Sequence, residues 1–419
     1  MSAPVLLDVT RLISRSWTGR HSTGIDRVCY AYLDRFADHA HAVVQYRGVH
    51  RVLCQQHSQT LFAMLRGPDR RVRGSLLGFA ARALGRNAPN VQLPGAIYLN
   101  VSHTEFDLQR HIRWTRQQAL RPVYLIHDLI PITHADYCRP HAITRHKGRV
   151  VNALHHAAGI IVNSRSTADD LTGFAQLHDL PVPPLLVASL AGAALPLPPP
   201  GTSRPQADPY FLCIGTVERR KNHGMLMNLW SRLIASGRKD LPDLVIIGQW
   251  GVNSDRLRAR LQGDPELCRK VRVLDRVPDT DLAGWITGAR ALLLPTLAEG
   301  FGLPLLEALA LKTPVVASDL PCFREIGQGI PTLLDPLDAD AWQTIITDLG
   351  PDSPEYLRQA QQMLGFKAPR WDEHFASVES WLAALPSRGH GVTGALRAPS
   401  ARPVLPFAPG VAAEQGLSH

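Results

Sequence analysis

A chain of 419 residues that is 45% hydrophobic and carries both charge signs has material for two ordinary cores and suits a globular protein rather than a fibrous one. Its net charge of +9 is uneven, with 21 Lys and Arg against 9 Asp and Glu in residues 1–150 (+12), and 24 against 27 in the remainder (−3). Six cysteines with no CxxC pair exclude a zinc or disulfide framework, and no 18-residue apolar run offers a membrane span.

In chain order, the apolar runs Val5–Val9, His41–Tyr46, Ala96–Val101, Pro122–Asp128 and Gly159–Ser164 read as strands buried on both faces. Helical spacing lies between them, for example over Ile25–Ala37 and His141–Ala157. A Pro-rich stretch follows, with one more short strand near Leu185–Ala188. A second series then runs through Tyr210–Gly215, Asp243–Gly248, Val271–Asp275, Ala291–Pro295 and Pro314–Ser318. Two successive α/β units predict two doubly wound, Rossmann-like domains with ligands at the carboxyl ends of their strands. The expected boundaries are 1–190 for the first domain, 191–209 for the linker and 210–365 for the second domain. A helix over 366–385 and a disordered tail over 386–419, rich in Pro and Gly, complete the chain.

The densest chemical signal is Pro295-Thr-Leu-Ala-Glu299-Gly-Phe-Gly-Leu-Pro-Leu-Leu-Glu307. A strand end, a glycine-bearing loop and a helix start near Leu303 aim backbone N–H groups and a helix dipole at one spot. Gly300 and Gly302 permit close approach of a ligand, and carboxylates at Glu299 and Glu307 accept hydrogen bonds from sugar hydroxyls. A second cluster, Gly215-Thr-Val-Glu-Arg-Arg-Lys-Asn, sets Arg219, Arg220 and Lys221 at the mouth of a strand, where they suit a diphosphate. His127 and Asp128 end an apolar strand, and His103 ends another. Gly24 sits in a Gly/Ser/Thr-rich loop after the first strand, without the GxGxxG of a dinucleotide site. Asn163–Leu171 reads as a strand–Ser–helix element of structural use. The strings Asp279-Thr-Asp281 and Asp338-Ala-Asp340 precede helical stretches and read as caps or first-turn residues, so no metal site is expected.

These stretches resemble the Glu-x7-Glu and Gly-Thr-x-Glu-x-Arg-Lys-Asn motifs of retaining GT-B glycosyltransferases (family 4, glycosyl transferases group 1), a group that includes bacterial polysaccharide mannosyltransferases. The resemblance implies a GT-B fold, with an acceptor domain first, a donor domain second and a final helix that braces the first. It implies that Glu299 contacts the transferred sugar, that N–H groups around Phe301, Gly302 and Leu303 hold sugar and phosphate oxygens, and that Glu307 binds ribose hydroxyls. Arg220 and Lys221 map onto the pyrophosphate-binding pair, with Gly215 and Gly24 beside the donor and His127 beside the reacting carbon.

The implied activity is metal-independent retaining transfer of a hexose, mannose- or rhamnose-like, from a nucleoside-diphosphate sugar. The acceptor would be a saccharide or polyprenyl-linked saccharide in surface polysaccharide synthesis, and no cofactor is expected. A GT-B-type nucleotide-sugar epimerase is the alternative. A nucleic-acid-binding protein is disfavoured, because only 6% of residues are aromatic and no recognised module is present. The basic first domain and the arginine-flanked segment Arg66–Arg86 suggest contact with an anionic membrane surface. The chain enters its first strand without a signal-peptide pattern, so a cytoplasmic location is expected.

Overall fold

The computed structural model describes residues 4–386 apart from 19–22, 68–73, 75, 80–92, 194, 197–198, 200–204, 239, 253 and 276. The tail beyond Pro386 and most of Arg66–Arg86 lie outside the described residues. No helix among those described is long and apolar enough to cross a membrane.

Two sheets carry the fold, within a single compact unit. The first holds seven strands: β1 (Val5–Asp8), β2 (Ala40–Tyr46), β3 (Val49–Val52), β4 (Ile97–Asn100), β5 (Arg121–Ile126), β6 (Gly159–Val162) and β7 (Leu185–Val187). The second holds six: β8 (Tyr210–Ile214), β9 (Asp243–Ile247), β10 (Val271–Leu274), β11 (Leu292–Leu294), β12 (Val315–Ser318) and β13 (Thr332–Leu334). Their orders are β3-β2-β1-β4-β5-β6-β7 and β10-β9-β8-β11-β12-β13. Pairing is parallel except for β2 with β3, a hairpin through Arg47 and Gly48.

Helices cover both faces, so central strands are apolar on both sides: every residue of β1, β4, β5, β6, β9 and β12 is buried. The sequence reading missed β3 and β13. Both are edge strands that are only half-buried, and Val-His-Arg-Val in β3 alternates exposed and partly buried positions.

In both sheets the strand order reverses at one point, between β1 and β4 in the first and between β8 and β11 in the second. Such a reversal splays the loops at the carboxyl ends apart and opens a crevice there. The predicted site residues cluster after these strands.

The helix Trp371–Ala384 follows the second domain and packs on the first. His374 bonds Tyr32 Oη (3.0 Å) and the Ser189 carbonyl (3.1 Å), and Arg35 makes a two-pronged ion pair with Glu379. Arg121 donates to the Leu385 carbonyl at 2.6 Å. Trp381 lies so close to Gly159 that a Cβ there would sit 2.4 Å from the indole ring.

Candidate active site in the interdomain cleft

Strand β8 ends at Ile214, and Gly215 turns the chain with φ +149°. A single 3₁₀ turn over Arg219–Lys221 then stops at Asn222 in the left-handed region, where the helix His223–Ala235 begins. This turn is fastened to the loop after β11. The Arg220 carbonyl accepts from the Leu297 amide (2.8 Å) and the Thr296 hydroxyl (3.2 Å), and Arg220 Nη1 donates to the Ala298 carbonyl (2.5 Å).

Glu299 stands where these loops meet. One carboxylate oxygen, Oε2, accepts from Arg220 Nη1 (3.2 Å) and from Lys221 Nζ, while Arg220 Nη2 holds Glu218 (2.8 Å). Burial by itself disfavours the Glu299 anion, but the Lys221 and Arg220 charges more than offset it and hold the carboxyl below its ordinary range. Burial likewise opposes the Arg220 cation, and Glu299, Glu218 and Asp128 outweigh it, so the guanidinium stays firmly charged.

Gly302, at φ +110°, caps the helix Leu303–Ala310, and a Cβ on it would meet the Phe323 ring at 2.5 Å. Among the described residues, the backbone N–H groups of Phe301, Gly302 and Leu303 meet no acceptor. The helix dipole and three orphan donors therefore converge beside Glu299.

Glu307 lies one turn into that helix and is 3% exposed. Its Oε1 takes both of its bonds, from Arg27 Nη1 (2.6 Å) in the first domain and from the Ala193 amide (3.2 Å). Oε2 meets no donor among the described residues. Burial raises the Glu307 carboxyl above its usual range, against the pull of Arg27. The other arm of Arg27 holds Asp279 at 2.8 Å. Asp279 is the first residue of the helix Asp279–Gly288, as its sequence position suggests, but it also ties the two domains together.

The facing wall belongs to the first domain. His127 follows β5 and is buried, and its Nε2 donates to the Val101 carbonyl at 2.8 Å. His103, also buried, accepts from the His127 amide (3.3 Å), with the two rings 5.0 Å apart. Burial drives His127 down to about 4 and His103 well below its usual range, so both rings are neutral near pH 7. The His127 carbonyl accepts from Asn163 (2.9 Å) and lies against Gly300, where a Cβ would come within 2.5 Å of it. Gly24, the first residue of the helix Gly24–Phe36, faces the Leu303 side chain.

The cleft thus brings together Glu299, Arg220, Lys221, Gly215, Gly300, Phe301, Gly302 and Leu303 on one side, with His127 and Gly24 opposite. Glu307 sits at the seam.

Sequence reasoning missed three contributors. Arg27 and Asp279 had no local signal as a pair. The Asn163–Leu171 element, read as structural, reaches across the cleft: Ser164 caps its helix, and Ser164 and Thr167 also donate to the Gly300 carbonyl (3.2 and 3.3 Å). The Arg165 amide binds Glu325. Asp338 does cap its helix, accepting from the Ala341 amide at 3.0 Å.

Residues 208–352 match the family described as "Glycosyl transferases group 1". The serotype-specific mannosyltransferase WbdA of Escherichia coli is 32% identical over 220 residues, covering 49% of this chain and 27% of that protein. The O-antigen chain mannosyltransferase B of Escherichia coli is 34% identical over 165 residues, covering 39% of this chain and 42% of that protein. These matches therefore span less than half the length of either relative. Among solved structures, Anabaena Alr3699/HepE in complex with UDP and glucose superposes with a TM-score of 0.63 at 14% identity, over 92% of this chain and 100% of that one. Two doubly wound sheets, with strand reversals at β1/β4 and β8/β11, and the likeness to solved structures identify a GT-B fold, within which residues 208–352 match the glycosyl transferases group 1 family.

Proposed function

We propose that this chain is a glycosyltransferase that moves a hexosyl group from a nucleoside-diphosphate sugar to a saccharide or lipid-linked saccharide in surface polysaccharide synthesis. The observation that carries this reading is Glu299 held by Arg220 and Lys221 beside three orphan amides. In the transition state, charge builds on the departing diphosphate. In this reading the two cations and the Phe301–Leu303 amides take that charge, while Glu299 reads hydroxyls of the moving sugar. Glu307 Oε2 is left for the ribose, and the neutral His127 and its carbonyl face the reacting carbon. Relatives named as O-antigen mannosyltransferases favour mannose as the sugar, and the UDP bound in the superposed Anabaena protein supports a nucleoside-diphosphate donor.

Retention of the anomeric configuration without a metal ion belongs to the same proposal. Departure and attack would occur on one face of the sugar, with the leaving phosphate helping to remove the acceptor proton. Action in the cytoplasm at an anionic membrane surface is also part of it, supported by the +12 charge of residues 1–150.

The test is turnover with GDP-, UDP- and dTDP-sugars in Lys221→Met and Glu299→Gln variants that melt near the wild-type temperature. The expected loss is on the order of 10²–10³ in rate for each. Turnover equal to wild type in either variant would overturn the site assignment, and product formed without an acceptor would favour an epimerase.

A further inference from the structure

The first sheet has its own crevice, and its contents differ from those of the donor cleft. A cavity of 550 Å³ opens at the carboxyl ends of β1, β4 and β5, at the strand reversal, and meets the cleft at Asp128. Two helices wall it. Thr10–Thr18 contributes Arg11 and Arg15, and Pro140–His156 contributes Arg145 and Arg149. Each pair is four residues apart and so shares one helical face.

Each pair also straddles a single acid. Arg11 and Arg15 bind Asp26 (2.5 and 3.1 Å), and Arg145 and Arg149 bind Asp107 (2.9 and 3.3 Å). The Asp26 side chain is 0% exposed and that of Asp107 9%, so the acids lie behind while the guanidiniums face the cavity.

The remaining acids at the rim are occupied. Glu105 takes the amides of Arg47 (2.6 Å) and Gly48 (2.8 Å), and Asp128 takes that of Ile130 (3.1 Å). Among the described residues, both terminal nitrogens of Arg15 and of Arg149 meet no acceptor, although these side chains are only 23% and 17% exposed. Burial even works against the Arg149 charge, with Asp107 pulling the other way. The loop after β4 adds backbone tension: His103 and Glu105 hold φ of 62° and 54°, a conformation that residues with a Cβ adopt at a cost and that recurs at ligand sites. Half-buried guanidinium N–H groups without partners are donors arranged for an oxyanion.

We infer that this cavity seats an oxyanion carried by the acceptor, a phosphate ester or a carboxylate, held by Arg15 and Arg149 from opposite helices. The inference rests on the glycosyltransferase reading for the word acceptor, but not for the anion. Arg11 and Arg145 serve as the partners that keep Asp26 and Asp107 neutralised.

Calorimetric titration of the full chain with inorganic pyrophosphate and, separately, glucuronate tests it, with neutral mannose as the control. Binding of one anion is expected, and which one binds separates a phosphate-bearing acceptor from a uronate. Arg15→Gln and Arg149→Gln should each weaken that binding about tenfold, the loss of roughly one charge-assisted hydrogen bond. Arg15→Lys should retain more affinity than Arg15→Gln, which separates lost charge from disturbed folding. Lys221→Met should remove only pyrophosphate bound in the donor cleft and leave the Arg15- and Arg149-dependent binding in place. Absence of binding to both anions, or wild-type affinity in both Gln variants, would overturn the inference. A loss confined to Lys221→Met would move the anion to the donor cleft and overturn this inference while leaving the glycosyltransferase reading intact. Arginine-dependent binding in a chain that turns over no nucleotide-sugar would instead remove that reading and leave the anion site standing.

Discussion

Arg27 of the first domain and Glu307 of the second meet at 2.6 Å, although 280 residues separate them in sequence. The pair is asymmetric. Glu307 is 1% exposed at its side chain and Arg27 26%, so the acid depends on the arginine more than the arginine depends on it. Removing Arg27 leaves a buried carboxylate with one amide, from Ala193, as its remaining donor.

Arg27→Ala should therefore lower unfolding stability by about 2 kcal/mol, below the usual loss for a fully buried pair because water reaches the guanidinium. Glu307→Gln in the same background should recover part of that loss, since no charge is then stranded. Denaturant unfolding of the wild type, both single variants and the double variant reads the coupling. Additive losses would show that the two residues do not stabilise each other.

Two neighbouring glycines should behave differently. Gly302→Ala places a Cβ 2.5 Å from Phe323 within the second domain, at φ +110°, and should cost about 2–3 kcal/mol of stability. Gly300→Ala instead presses on the His127 carbonyl (2.5 Å) and on Asp128 Cβ (2.7 Å) in the first domain. It should hold the cleft open, lowering kcat/KM about 10²-fold through misplaced groups while the melting temperature moves less than in Gly302→Ala. Melting curves and small-angle scattering together decide it. Equal melting losses with an unchanged radius of gyration would count against the distinction.

Acid should destabilise the chain through its buried imidazoles. Burial lowers His127 and His374 to about 4 and His111 to about 3, against an ordinary value near 6.5. The unfolded chain therefore binds more protons than the folded one between pH 6.5 and 4, and stability is lost as pH falls through that window. Asp8 acts in the opposite sense. Burial raises it to about 6, so its folded form gains a proton first and favours lower pH. Asp170, also raised to about 6, and Glu307, also raised, act with Asp8. His50 (about 4) and His223 (about 3) join the other imidazoles, which outnumber these carboxyls, and the melting temperature should fall from pH 7 to pH 5. His374→Gln, which can still bond Tyr32 and Ser189, should recover about 2 kcal/mol of the loss at pH 5. An identical slope in wild type and variant would assign the acid lability elsewhere.

Most of the fold was legible because parallel strands covered on both sides must be apolar throughout. Val-Leu-Leu-Asp in β1 and Asp-Leu-Val-Ile-Ile in β9 announce themselves in that way. The edge strands β3 and β13 carry no such signature, since one side of each meets water. Glu299, Arg220 and Lys221 were legible for a similar reason: each sits in a short strand–loop–helix segment whose residue types suit one chemistry. Arg27 with Asp279, and Ser164 with Gly300, were not. Each pair joins segments at least 136 residues apart, and no periodicity in either segment reports its partner.

The helix Trp371–Ala384 has a consequence for synthesis on the ribosome. Tyr32, Arg35, Arg121 and Gly159 all await contacts from residues 374–385, which emerge only after the whole second domain has been made. At elongation rates of about 5–20 residues per second, the interval between the end of β7 and Leu385 lasts roughly 10–40 s. During that time the first sheet can form, yet the surface around Tyr32 and Gly159 stays uncovered. The nascent chain thus carries a timed window in which these groups wait for their partners.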